Sequence, residues 1–140
     1  MKILLCIAFL LPITAIAQTK SDYQHAMANF QRFYNAGQGD SIYTIFHIDN
    51  PSWGMGIKSM WSNERTAEAL KQFGTLKSFK YIGVDQTDVD TVRVFQTFFS
   101  KAGAKTTSLT LHKDYKLGTF RFMTTSDGID DLLKKRKASR

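Results

Sequence analysis

Residues 74–86, GTLKSFKYIGVDQ, followed by TVRVFQTFFS at 91–100, TTSLTLH at 106–112 and LGTFRFMT at 117–124, decide the fold. Before Gly74 the apolar residues recur at helical spacing; after it they alternate with polar ones, the period of a half-buried strand. The alternation predicts strands over Leu76–Val84, Thr91–Ser100, Thr106–His112 and Leu117–Thr124. The breaks at Asp85–Asp88, Lys101–Ala104 and Lys113–Lys116 are only a few residues long. A parallel crossover needs a dozen residues or more, so these strands must be antiparallel neighbours.

Upstream, Tyr23, Met27, Phe30, Phe33 and Tyr34 form the apolar stripe of a first helix, with Ser21 and Gln24 as its capping box and Gly37 as its stop. Asp40 is placed to cap a short second helix carrying Ile42, Ile45 and Phe46. Asn50 to Gly56 reads as a loop on its turn residues. A third helix fits Asn63 to Phe73, with Ala67, Leu70 and Phe73 inward and Gly74 as its stop. Helices first and an antiparallel sheet after them make an α+β domain. With 140 residues, 43% hydrophobic and 22% charged, the chain fits one packed domain and excludes collagen-like and low-complexity classes.

The ends read differently from the body. Lys2, the apolar run Ile3–Leu11 and Ala15-Ile16-Ala17 have the order of a secretory signal over residues 1–17, predicting cleavage before Gln18 and export to periplasm or medium. The single cysteine, Cys6, would leave with it, so no disulfide or thiolate ligand is expected. The domain proper is assigned to residues 18–126, and residues 127–140 to a short amphipathic segment with a basic tail. Lys134, Lys135, Arg136, Lys137 and Arg140 carry most of the net charge of +7. A nearly neutral body argues against nucleic acid as a partner, while the tail suits weak contact with an anionic surface.

Phe30–Gly37 followed by Asp40-Ser41-Ile42-Tyr43 resembles the opening helices of nuclear-transport-factor-2-like (cystatin-like cone) domains. Phe73-Gly74-Thr75-Leu76-Lys77-Ser78 resembles their link into the sheet, and Leu109-Thr110-Leu111 with Gly118-Thr119-Phe120 their last hairpin. The chain is similar, from Ser21 to Thr124, to a small exported bacterial domain of that superfamily with no assigned function. The resemblance implies a curved sheet wrapped on a long helix, a pocket between them, and dimerisation through the sheet.

Enzymes of that superfamily use a carboxylate inside the cone, where burial tunes its pKa. Here Asp85, Asp88, Asp90 and Asp114 fall in the predicted turns, and Glu64 and Glu68 on the exposed side of the third helix. No catalytic residue is therefore assigned. His25, His47 and His112 are too dispersed for a metal motif, and neither a metal nor a cofactor is expected. The pocket candidates are Tyr34, Trp53, Trp61 and His112; the tryptophans serve either as core anchors or as stacking surfaces. Phe98 opposes Phe95 and Phe99 along the second strand, so its face packs on a helix end or the tail, or forms a dimer surface with Phe98 and Phe99 as its candidates. The expectation is a non-catalytic domain that binds a small apolar ligand or a protein partner. The alternative is a pocket enzyme of isomerase or hydratase type using His112 and a tyrosine as donors.

Overall fold

The structure, a computed structural model, describes residues 18–86 and 91–123. The signal-like segment 1–17, Asp88 and Asp90, and the basic tail from 127 lie outside the described residues. Four helices, α1 (Lys20–Asn35), α2 (Gly39–Thr44), α3 (Pro51–Met60) and α4 (Asn63–Phe73), precede four strands, β1 (Leu76–Gln86), β2 (Thr91–Phe99), β3 (Gly103–Leu111) and β4 (Leu117–Met123). The strands pair antiparallel in sequence order β1-β2-β3-β4. The sheet is curved and unclosed, and three register shifts bend it: Leu76/Ser78 and Tyr81/Gly83 on β1, and Thr110/Leu111 on β3.

α1 supplies the core. Tyr23, Met27, Phe30 and Tyr34 are buried at helical spacing. Its N-cap is Thr19 with Asp22, two residues before the expected pair Ser21 and Gln24. The Asp22 carboxylate accepts from the Thr19 amide at 2.6 Å. A carboxylate also gains from the positive end of the helix dipole, which the neutral amide of Gln24 cannot. At the other end, Asn35 clamps the start of the sheet: its Oδ1 accepts from the Leu76 amide at 2.7 Å and its Nδ2 donates to the Leu76 carbonyl at 3.0 Å.

α2 starts at Gly39, with Asp40 inside its first turn rather than at the cap. The Asp40 carboxylate instead accepts from Asn63 Nδ2 at 3.0 Å, while Asn63 Oδ1 accepts from the Asp40 amide, tying α2 to the start of α4. Gly39 is buried against the backbone of Trp61 and Ser62, where any Cβ would collide.

The expected loop at 50–56 is helical. Asn50 caps α3 by accepting from the Trp53 amide at 2.9 Å, and Pro51 fits the first helical turn because its missing N–H would have no partner there. Gly54 within α3 faces Ile48 and the Tyr43 hydroxyl so closely that a side chain would press on both. Close packing thus accounts for Gly54, whereas a side chain at Gly56 would meet open space. α4 keeps its expected bounds, and its inward face departs from expectation at Ala67. Ala67 is exposed, and Thr66, Ala69, Leu70 and Phe73 turn inward. Thr66 tolerates full burial because its hydroxyl donates back to the Ser62 carbonyl at 2.8 Å.

Phe95, Thr97 and Phe99 of β2 face the helices, beside Phe79 and Tyr81 of β1. Phe30 lies at the centre, with Tyr34, Trp61 and Phe120 rings at 5.6, 5.2 and 4.5 Å. The opposite face of the central strands carries Val94, Thr106 and Ser108, all buried, and half-buried Phe98. A last connection closes the fold. Phe46 and Leu117 form a parallel bridge in which the Leu117 amide donates to Ile45 and its carbonyl accepts from His47, both at 2.8 Å.

Candidate functional site

Where α4 leans over the β2–β3 end of the sheet, the core does not close. A cavity of about 360 Å³ remains, lined among others by Tyr34, Trp61, Phe73 and Phe99. These four aromatics come from α1, the α3–α4 link, α4 and β2. The Phe99 ring meets Tyr34 edge-on at 5.8 Å and Phe73 at 5.9 Å. Gaps of this kind arise because rigid rings prefer edge contacts to close stacking, and they cannot slide to fill the space left at a junction of several elements.

The mouth has a different chemistry. Arg65, Glu68, Ala69 and Gln72 line it from successive turns of α4, Met60 from the end of α3, and Lys105 from β3. Met60 is half exposed, at 50%. An apolar floor beneath a rim bearing cations, a carboxylate and an amide suits a molecule with an apolar body and a polar end.

Tyr34 brings its only polar group to this floor already engaged. Its hydroxyl donates to the Gly74 carbonyl at 3.0 Å, and burial pushes its pKa up to about 12. At neutral pH it is a fixed hydrogen-bond donor and not a proton carrier. Gly74 holds its place with a φ of 78° against Ser100 and Lys101, a conformation that favours glycine.

The structure brings Tyr34 and Trp61 together at this cavity and separates them from the other two pocket candidates. Trp53 lies on α3, 36% exposed, and donates its indole N–H to the His47 carbonyl at 3.0 Å. His112 follows the far end of β3, so Lys105 and His112 are separated by about 23 Å of extended chain. The two phenylalanines expected on a dimer surface also part. Phe99 turns inward, 6% exposed, and lines the cavity, because β2 residues two apart share a face and Phe95 is already in the core. Phe98 stays on the outer face.

Sequence reasoning missed the α4 contribution. Residues 65, 68, 69, 72 and 73 recur at helical spacing, but only Phe73 is strongly apolar, so hydrophobicity could not reveal the stripe. Its helical spacing places Phe73 inward without linking it to a pocket.

A second constellation lies at the opposite end of β3. His47 and His112 stack with ring centroids 3.5 Å apart and planes at 11°. His47 Nδ1 lies 2.8 Å from an Asp114 oxygen, its Nε2 lies 2.7 Å from Asp49, and His112 Nδ1 lies 3.5 Å from Asp114. The hydrogen bond to Asp114, reinforced by Asp49, raises the His47 pKa above its usual 6.5; the same bond lowers that of Asp114 below 3.8. The histidines, dispersed in sequence, are therefore partly gathered in space: His47 and His112 meet, and His25 remains outside their cluster.

No protein-family model matches the chain, and no curated protein matches it.

Proposed function

We propose that the protein is a non-catalytic binding domain whose cavity beneath α4 takes a small molecule with an apolar body and a polar or charged end. The observation that carries this reading is the floor of four aromatic rings under a polar rim. A volume of about 360 Å³ lies within the range of small-ligand sites. The signal-like segment at 1–17 extends the reading to an exported protein, with its basic tail in weak contact with anionic surfaces.

The alternative, a pocket enzyme using His112 and a tyrosine, draws no support from the geometry. His112 is at the other end of β3, and the Tyr34 hydroxyl is committed to Gly74. Glu68 does line the mouth, but from an exposed position on α4.

Anilinonaphthalene sulfonate, an apolar fluorophore with an anionic end, tests the site. The protein should bind it at one saturable site with enhanced fluorescence. Ala69→Trp, which places an indole in the mouth, should weaken that binding at least tenfold while leaving circular dichroism unchanged. Equal binding by both proteins would remove the cavity as the site.

A further inference from the structure

Away from the cavity, the segment after α2 and the β3–β4 turn bring together metal-ligating side chains that the core does not use. His47, His112 and Asp114 each offer one ligand atom, and these atoms all lie within 4.8 Å of one another. We propose that His47, His112 and Asp114 form a binding site for a divalent transition-metal ion of the zinc, cobalt or nickel kind, with Asp49 orienting His47.

The donor set decides the class of ion. Two imidazole nitrogens and one carboxylate oxygen suit borderline transition metals, whereas magnesium and calcium favour all-oxygen sites. Three protein donors leave room for water or an exogenous ligand, as in open zinc sites. Geometry points the same way. Both stacked rings present Nδ1 to the Asp114 carboxylate, at 2.8 and 3.5 Å. A divalent cation satisfies both nitrogens and the carboxylate together, with the rings splaying slightly apart to share it.

The ligands are also held in place before any ion arrives. The His47 amide donates to the Leu117 carbonyl, and the His112 amide to Lys116, both at 2.8 Å. Asp114 Oδ1 accepts from the Lys116 amide at 3.1 Å, bracing the carboxylate within its turn. Asp49 at 2.7 Å from His47 Nε2 forms the carboxylate–histidine pairing that fixes ring orientation at many metal centres. Asp49 thus acts as a positioning residue. The site is independent of the cavity reading, since it shares no residue with that pocket.

Cobalt(II) titrated into the purified protein, followed by its visible absorption and then displaced by zinc, tests the proposal. The protein and its His25→Ala variant should each take up one cobalt ion. His47→Ala and Asp114→Asn should weaken uptake at least tenfold. Asp49→Asn should weaken it by about tenfold while leaving the metal-free melting temperature unchanged. Absence of uptake at millimolar cobalt, undiminished uptake by His47→Ala or Asp114→Asn, or loss of uptake in His25→Ala would overturn it. Should a variant not fold, imidazole resonances of the unaltered protein decide the matter. Zinc-induced shifts at His47 and His112 support the site, and shifts confined to His25 overturn it.

Discussion

The two ends of β3 are built from opposite materials. At Lys105 the strand borders a cavity walled by Tyr34, Trp61, Phe73 and Phe99, whose order comes from burial and ring packing. Beyond Leu111 it runs into a turn where His47, His112 and Asp114 are ordered by short directional bonds in reach of water. Apolar burial is worth roughly 25 cal/mol per Å² and depends little on pH or salt, whereas exposed ion pairs contribute little and are screened. The aromatic end therefore holds the fold together. The histidine end adds little to it, and that leaves its side chains available for chemistry.

The sharpest test of this contrast is Phe30→Ala, at the centre of the ring cluster beside Trp61 and Phe120. It should cost about 3–5 kcal/mol in urea unfolding, through lost transfer energy and the cavity left behind. A loss below about 1 kcal/mol would break the assignment of stability to the aromatic end.

Next in size is Tyr34→Phe, which keeps the ring and deletes the donor to Gly74. Leaving that buried carbonyl unpaired should cost about 1–3 kcal/mol by the same measurement. An unchanged midpoint would show that water replaces the phenol, and that the cavity floor is wetter than its rings suggest.

The smallest effect belongs to the histidine end. His47 has its pKa raised by Asp114, so its stabilisation is complete below 6.5 and fades as pH rises through the folded value. Asp114 has its pKa lowered, so its share is present above 3.8 and fades as pH falls through the folded value. The melting temperature of the metal-free protein should therefore exceed that of His47→Gln most between these two values, and by less than Tyr34→Phe loses. A difference that grows steadily up to pH 8 would contradict the sign.

How much of this was legible depends on how local its cause is. The strands announced themselves because alternation needs only the residue's own neighbours, and the order β1-β2-β3-β4 followed from short links. α3 was hidden because Gly54 and Gly56 weigh against a helix, and the reason for Gly54 is contact with Ile48 and Tyr43 from outside the segment. In α4 the inward place of Leu70 and Phe73 was legible, while the buried Thr66 was not, its polarity being silenced by its own backbone bond. Trp61 could be read as a pocket candidate because it flanks the helix that follows it, near the expected opening. Trp53 looked equivalent in sequence. What separates it is the direction of its indole toward the His47 carbonyl, set by the turn of a helix that the composition concealed. The histidine pair was invisible for the simplest reason: the residues come from distant parts of the chain, and the Phe46–Leu117 bridge brings their segments side by side.

That late bridge also bears on the order in which a chain made from its N-terminus can acquire structure. All four helices leave the ribosome before any strand, with the stripe Tyr23, Met27, Phe30 and Tyr34 still uncovered. β1 and β2 can cover part of it, but Phe120, which touches Phe30, Phe46 and Trp61, and Leu117, which joins the segment after α2, arrive only with β4. Nascent domains fold as units once their elements are present. A ribosome stalled before residue 117 should therefore display a protease-sensitive chain with sticky helices, and release of β4 should convert it to a resistant one. Until that strand emerges, the apolar stripe of α1 lacks the part of its cover that Phe120 supplies.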